Sequence, residues 1–218
     1  MRHFLKLLPF IMSLIPSWAV AHPHVWVEMR TDVKFNSAGF VDGINVEWSF
    51  DDAYAQEALI GMDADGNGEY SQEELKPLTA ENMDSLKDYG YFNVMWGNDK
   101  ILESTPPINA GQTYNGNKLQ LHFTVPLKQP FDPRSGEFKV KVYDPEFFIA
   151  FDYAKELPVD TEGQLPTSCK LDLKPIPTDA ELNATLAMLS TKDKEWKPEN
   201  GEDFGSLFAQ ALIVSCAQ

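Results

Sequence analysis

From residue 25 onward the chain alternates. Val25, Val27, Met29, Val33 and Phe35 fall on one side and Trp26, Glu28, Arg30, Asp32 and Lys34 on the other, the period-two pattern of a half-buried strand. Asn36-Ser37-Ala38-Gly39 supplies turn chemistry. A second alternating run follows, with Ile44, Val46, Trp48 and Phe50 on its apolar side, so the two strands are predicted to form a hairpin. Asp51 and Asp52 have N-cap chemistry for a helix over about residues 53–62. Beyond residue 74 the spacing of Leu75, Leu78, Met83 and Leu86 predicts a second helix, with Pro77 early in it and Gly90 as its stop.

Residues 91–95 and 101–102 flank Gly97-Asn98-Asp99 and read as another hairpin, whereas 104–118 is rich in Pro, Asn and Gly and reads as a loop. Short alternating or aromatic-rich runs predict strands at 119–125, 138–142, 147–151 and 170–173. Thr178-Asp179 would cap a helix reaching Leu189. Residues 190–203 form a polar linker, and 207–216 closes the chain as a strand, with a helix as the alternative. No internal repeat is present. The sum is an α+β fold, mainly antiparallel sheet, with a helix-loop-helix at about 52–88 inserted between early strands.

The extreme N-terminus breaks this pattern. Arg2 and Lys6 precede an uncharged apolar run from Leu7 to Trp18 and then Ala19-Val20-Ala21, a small-x-small site of the kind signal peptidase cuts after. The run is short and interrupted by Pro9 and Pro16, so a cleaved signal at 1–21 is expected rather than a membrane span. Residues 22–218 would then be a single periplasmic domain, soluble once the signal is removed. With 18 Lys and Arg against 33 Asp and Glu, the formal charge is −15, which disfavours nucleic acid and anionic lipid as partners and attracts cations. Solubility alone would explain the same charge. An oxidising compartment favours pairing Cys169 with Cys216, and the apolar parity around each cysteine predicts a buried disulfide.

The most specific motif lies inside the helix-loop-helix. Asp63-Ala64-Asp65-Gly66-Asn67-Gly68-Glu69-Tyr70-Ser71-Gln72-Glu73-Glu74 fills the EF-hand ligand positions. Calcium takes about six to eight hard oxygens. Asp63, Asp65 and Asn67 offer side-chain oxygens, Glu69 its backbone carbonyl, Ser71 a direct or water-mediated contact and Glu74 a bidentate carboxylate, while Gly68 permits the sharp turn. Tyr70 departs from the small aliphatic residue usual there, and no second loop exists to pair with. A lone loop of this kind acts as a structural clip rather than a sensor. The bland alternative is a solvated acidic turn.

A second candidate lies at the cleavage site. Processing after Ala21 would expose His22-Pro23-His24, whose α-amine and imidazoles are metal donors, although Pro23 lacks the amide N–H that amino-terminal copper and nickel motifs deprotonate. His122 sits on the polar parity of its strand, so His22, His24 and His122 are candidate ligands for Zn2+, Ni2+ or Cu2+. The alternative is that all three are merely solvated.

Several motifs carry a family resemblance: His22-Pro23-His24-Val25-Trp26-Val27, Trp48-Ser49-Phe50-Asp51, the EF-like loop, Tyr89-Gly90-Tyr91-Phe92, Tyr143-Asp144-Pro145-Glu146-Phe147-Phe148, and Phe208-Ala209 through to Cys216. Over nearly the whole mature chain they resemble a family of uncharacterised bacterial periplasmic proteins labelled as a domain of unknown function and as a periplasmic component of an ABC-type transport system. Members of that look are often encoded beside nickel, cobalt or zinc transport proteins. The resemblance therefore implies an accessory role in divalent metal-ion transport, with an inner-membrane transporter as partner. The alternative is a calcium-stabilised domain that docks such a transporter without carrying metal. No enzyme is expected, since G-x-S-x-G, H-E-x-x-H, a phosphate-cradling Gly-Lys loop and a dinucleotide Gly fingerprint are all missing from the sequence.

Overall fold

The computed structural model describes residues 23–176, 178, 180–192, 196 and 203–217. The expected signal segment, His22, the Asp179 cap and most of the 190–203 linker lie outside them. The elements in chain order are β1 (Val25–Phe35), β2 (Val41–Phe50), α1 (Asp52–Ala58), α2 (Gln72–Lys87), β3 (Asn93–Gly97), β4 (Lys100–Ile101) and β5 (Ile108–Tyr114). They continue with β6 (Leu119–Phe131), β7 (Phe138–Val142), β8 (Ile149–Tyr153), β9 (Val159–Glu162), β10 (Cys169–Lys174), α3 (Ala180–Leu189) and β11 (Ala211–Cys216).

The first sheet runs β5-β6-β2-β1-β8, with β9 also on β1; the second runs β10-β11-β7-β3-β4. The hairpin predicted from alternation is β1–β2, in register from Val27 opposite Phe50 to Lys34 opposite Gly43, with a bulge before Phe35 meets Val41. Asn36 closes its turn by accepting N–H bonds from Ala38 and Phe40 through Oδ1 (2.9 and 3.1 Å). Inward side chains of both sheets share one core. At its centre Trp48 meets Phe123 edge-on with ring centroids 5.1 Å apart and Phe151 at 5.0 Å. Fold class and antiparallel dominance agree with the sequence reading; the exceptions are β8 and β9, which pair parallel with the first and second halves of β1.

Among the differences from the predicted elements, four have a clear physical reason, while α2 starts earlier at Gln72, β6 runs on to Phe131 and β11 starts only at Ala211. The segment read as a loop at 104–118 contains β5, an edge strand whose first three residues are exposed and whose one buried side chain, Gln112, is polar, so that backbone pairing to β6 rather than apolar alternation holds it. β9 carries a single apolar residue, Val159, and gains Lys34–Glu162 and Asn45–Glu162 contacts, both 2.5 Å. The strand expected at 147–151 begins instead at Ile149, because Phe147 (φ 54) turns the chain. The helix expected over 53–62 ends at Ala58: Leu59 is its C-cap and Gly61 (φ 78) adopts a left-handed conformation that cannot extend it.

Asp51 starts that helix as the sequence predicts. Its Oδ1 accepts the N–H groups of Ala53 and Tyr54 (2.9 and 3.0 Å) and its Oδ2 that of Trp26 (2.9 Å), so one carboxylate caps α1 and ties it to β1. Asp51→Ala is expected to lose about 1–2 kcal/mol, read as a lower urea midpoint with an unchanged slope.

Candidate metal centre

The chain leaves α1 through the turn at 59–62 and enters the acidic loop, which delivers it to α2. Ser71 is the N-cap of α2 and forms a capping box: its Oγ accepts from the Glu74 N–H (3.3 Å) while Glu74 Oε2 accepts from the Ser71 N–H (2.8 Å). Leu75 and Leu78 of α2 are buried, as is Leu59 before the loop, so apolar contacts anchor both ends. Two left-handed glycines, Gly66 (φ 73) and Gly68 (φ 81), bend the loop back on itself, and nothing else crowds them.

That bend turns backbone donors inward. Asp63 accepts N–H bonds from Gly66, Asn67 and Gly68 (2.8, 3.1 and 3.0 Å). Glu74 reaches across to the N–H of Ala64 (2.9 Å) and takes the Ser71 hydroxyl (2.7 Å). As a result one carboxylate oxygen each from Asp63, Asp65 and Glu74 lies within 4.8 Å of the other two. The Ser71 hydroxyl bond, followed by the Ser71 and Ala64 backbone bonds, lowers the Glu74 pKa to about 2, so this carboxylate is anionic at neutral pH. Asn67 joins the cluster by donating to Asp65 (2.9 Å); Glu69 enters through its backbone N–H, which Asn67 Oδ1 accepts at 2.6 Å.

Like charges so close together repel. Three hard carboxylates with an amide and a hydroxyl beside them fit a hard dication such as Ca2+, and Asp63, Asp65, Asn67, Glu69, Ser71 and Glu74 are the residues that would hold it. The bound ion would supply charge neutralisation and a fixed loop shape. Tyr70, anomalous in sequence, has a role here: its ring meets Tyr114 of β5 edge-on at 5.3 Å, so the loop docks on an edge strand where a paired EF-hand would use a second loop.

The histidines fall elsewhere. His24 immediately precedes β1; its N–H donates to the Phe148 carbonyl (2.8 Å) and its ring lies 4.7 Å from that of Phe148. His122 lies in β6 opposite Glu47 of β2, and Glu47 is opposite Arg30 of β1. Six residues along β1 and two strands across, the register keeps His24 and His122 about 20 Å apart. The imidazole of His122 instead lies over Gly111 of β5, where an added Cβ would come within 2.8 Å of the ring. His22 lies outside the described residues.

One aspartate, quoted in the sequence only as part of a family motif, has a structural role that the sequence reading did not assign. Asp144 is 4 % exposed, and its carboxylate accepts the N–H groups of Glu146, Phe148 and Ile149 (2.9, 3.0 and 3.0 Å). Burial pushes its pKa up, against those three donors, which lower it. It builds the turn that aims Phe148 at His24. The only sequence signal was Asp-Pro at 144–145, a turn initiator.

The predicted cysteine pair is present: Cys169 and Cys216 are opposite each other on β10 and β11 and form a disulfide. It is half-buried rather than buried, because β10 is the outer strand of its sheet. Such a bond fits an oxidising compartment. No helix among the described residues is long and apolar enough to cross a membrane.

Fold and loop together define a two-sheet α+β protein with an acidic loop in which the Asp63, Asp65 and Glu74 carboxylates converge. Residues 7–216 match the family described as "Protein of unknown function (DUF1007)", and the chain belongs to it. It is 27 % identical over 215 residues to an uncharacterized protein of Haemophilus influenzae, covering 97 % of this chain and 100 % of that one. A shorter similarity, 31 % over 101 residues, links 46 % of the chain to 71 % of the "Uncharacterized 15.5 kDa protein in trpE 3'region" of Spirochaeta aurantia.

Proposed function

We propose that this protein is a periplasmic accessory protein of a divalent metal-ion transport system, exported by a cleaved signal at 1–21 and stabilised by one structural Ca2+ in the 63–74 loop. Its role is binding, with no catalytic step of its own. The observation that carries the calcium part is the convergence of the Asp63, Asp65 and Glu74 carboxylates. The transport part rests on the resemblance set out from the sequence motifs, and the acidic balance suits a protein that handles cations.

In this reading the processed terminus, His22 with its α-amine and His24, takes Zn2+, Ni2+ or Cu2+, and His122 contributes nothing. Equilibrium dialysis of periplasm-purified protein is expected to show one transition-metal ion bound, lost in the His22→Ala/His24→Ala double variant and kept in His122→Ala. No binding by the processed protein would remove the metal-carrying role.

The separation of His24 from His122 favours a second reading, a calcium-stabilised domain that docks a membrane transporter without carrying metal. Pull-down from membrane extracts with and without chelator separates the two: the docking domain retains a transporter only while calcium is present, whatever its histidines.

A further inference from the structure

α2 is fastened unevenly. Beside the acidic loop, Leu75 and Leu78 are buried and the Ser71–Glu74 capping box fixes the first turn. From Thr79 to Lys87 no residue is buried. This second half is nonetheless the wall of a cavity of about 430 Å3, lined by Asn82, Ser85 and Leu86 from the helix and by Val25, Val27 and Phe151 from the inner face of the first sheet. Small-molecule sites have volumes of about 300–1,000 Å3.

Two features make the helix easy to move. First, its far end leaves through three consecutive left-handed residues, Gly90 (φ 58), Tyr91 (φ 55) and Phe92 (φ 55). Glycine adopts that conformation freely, but Cβ crowding makes it costly for tyrosine and phenylalanine, so the joint holds strain that a change in the direction of α2 would release. Second, the inner side of α2 faces polar atoms without partners. Asn82 Oδ1 accepts the Tyr54 hydroxyl of α1 at 3.3 Å, while its Nδ2 is buried with no hydrogen-bond partner among the described residues. Gln112 of β5, the strand α2 lies against, is 2 % exposed, and neither of its side-chain polar atoms has such a partner. Buried polar groups left unmade weaken an interface.

We propose that α2 is a movable wall of this cavity and that the ion in the 63–74 loop holds it shut. The inference rests on the structural calcium reading and adds what that ion controls. Glu74 is the third residue of α2, so a bound ion ties the start of the helix to Asp63 and Asp65. Without the ion, three like charges push the loop apart, α2 pivots at residues 90–92 and the cavity opens.

Labelling of a buried thiol by N-ethylmaleimide, a neutral reagent, reads the opening in the full chain purified from the periplasm. Val27 and Val33 are both buried on the inner face of β1, at 2 % and 0 % exposure, and of the two only Val27 lines the cavity. In chelator-stripped protein Val27→Cys is expected to react at least about tenfold faster than Val33→Cys, because α2 opens without global unfolding. Calcium at about ten times its dissociation constant should slow Val27→Cys about tenfold, since the open form loses the site. At Gly90 a Cβ would meet no neighbour but the positive φ would be strained. Gly90→Ala should therefore speed Val27→Cys labelling in calcium about fivefold, whereas Gly116→Ala, equally uncrowded and strained but in the β5–β6 turn, should leave it within about twofold. Circular dichroism confirms that each variant folds, and hydrogen exchange of the unmodified chain gives the same comparison between α2 and β1 amides. Equal reaction of the two cysteines, a Gly90→Ala without effect, or Val27→Cys labelling that ignores calcium while calorimetry registers its binding overturns the proposal and leaves the calcium site standing. Calorimetry that registers no calcium binding removes both.

Discussion

Calcium added to chelator-stripped protein raises its melting temperature, and Glu74→Gln removes the rise. A ligand that binds only the folded state stabilises it by RT ln(1 + [L]/Kd). Single sites of the extracellular type have dissociation constants of about 10⁻⁴–10⁻³ M, so millimolar calcium is up to about tenfold above that constant. The gain is then about 1.4 kcal/mol, or about 3–6 °C for a chain of this size. Glutamine is the informative replacement because a capping box accepts Gln as well as Glu. The variant keeps the bond back to the Ser71 N–H and the start of α2, and loses the charge that, beside Asp63 and Asp65, selects a dication. A variant that still gains stability from calcium, or a wild type whose melting ignores both calcium and chelator, would show the loop to be a solvated acidic turn.

Cys169→Ala/Cys216→Ala is expected to lower stability by about 4 kcal/mol in the chain-entropy account. The bond joins residues 47 apart and sits between directly opposed positions on β10 and β11. β11 in turn pairs with β7, so the link ties the outer strand of the second sheet to its interior. Much of the effect acts on the unfolded chain, which becomes more expanded without the cross-link. Urea unfolding should therefore show a lower midpoint and also a steeper slope. A loss under about 1 kcal/mol with an unchanged slope would mean that the second sheet holds together without it.

Much of this was legible in the chain. Alternation named the β1–β2 hairpin and its inward face, because a strand with one buried side writes that side every second residue. Asp51 was readable as a helix start because a cap acts within about three residues of itself, whereas Ser71 was read only as a calcium ligand and the structure starts α2 behind it at Gln72 rather than beyond residue 74. The glycines and acids of the 63–74 loop lie in one short stretch, so spacing alone predicted that their oxygens would meet. The cysteines needed only their count and their parity.

The structure also decided what local pattern could not. β5 lies on the edge of its sheet through backbone bonds to β6, and backbone bonds leave no mark in side-chain hydropathy. β8 and β9 share one edge of β1 in parallel, an arrangement set by pairing residues more than 100 positions apart. The distance between His24 and His122 follows from register across three strands, which no spacing in the sequence encodes. The cavity beside Asn82 exists only where α2, the first sheet and the Asp144 turn come together. Sequence determined the elements with apolar periodicity or caps and the acidic loop, whose interactions span a few residues; tertiary structure alone decided the edge strands β5 and β9, which strands are neighbours and what space they enclose, since those depend on contacts between distant segments of the chain.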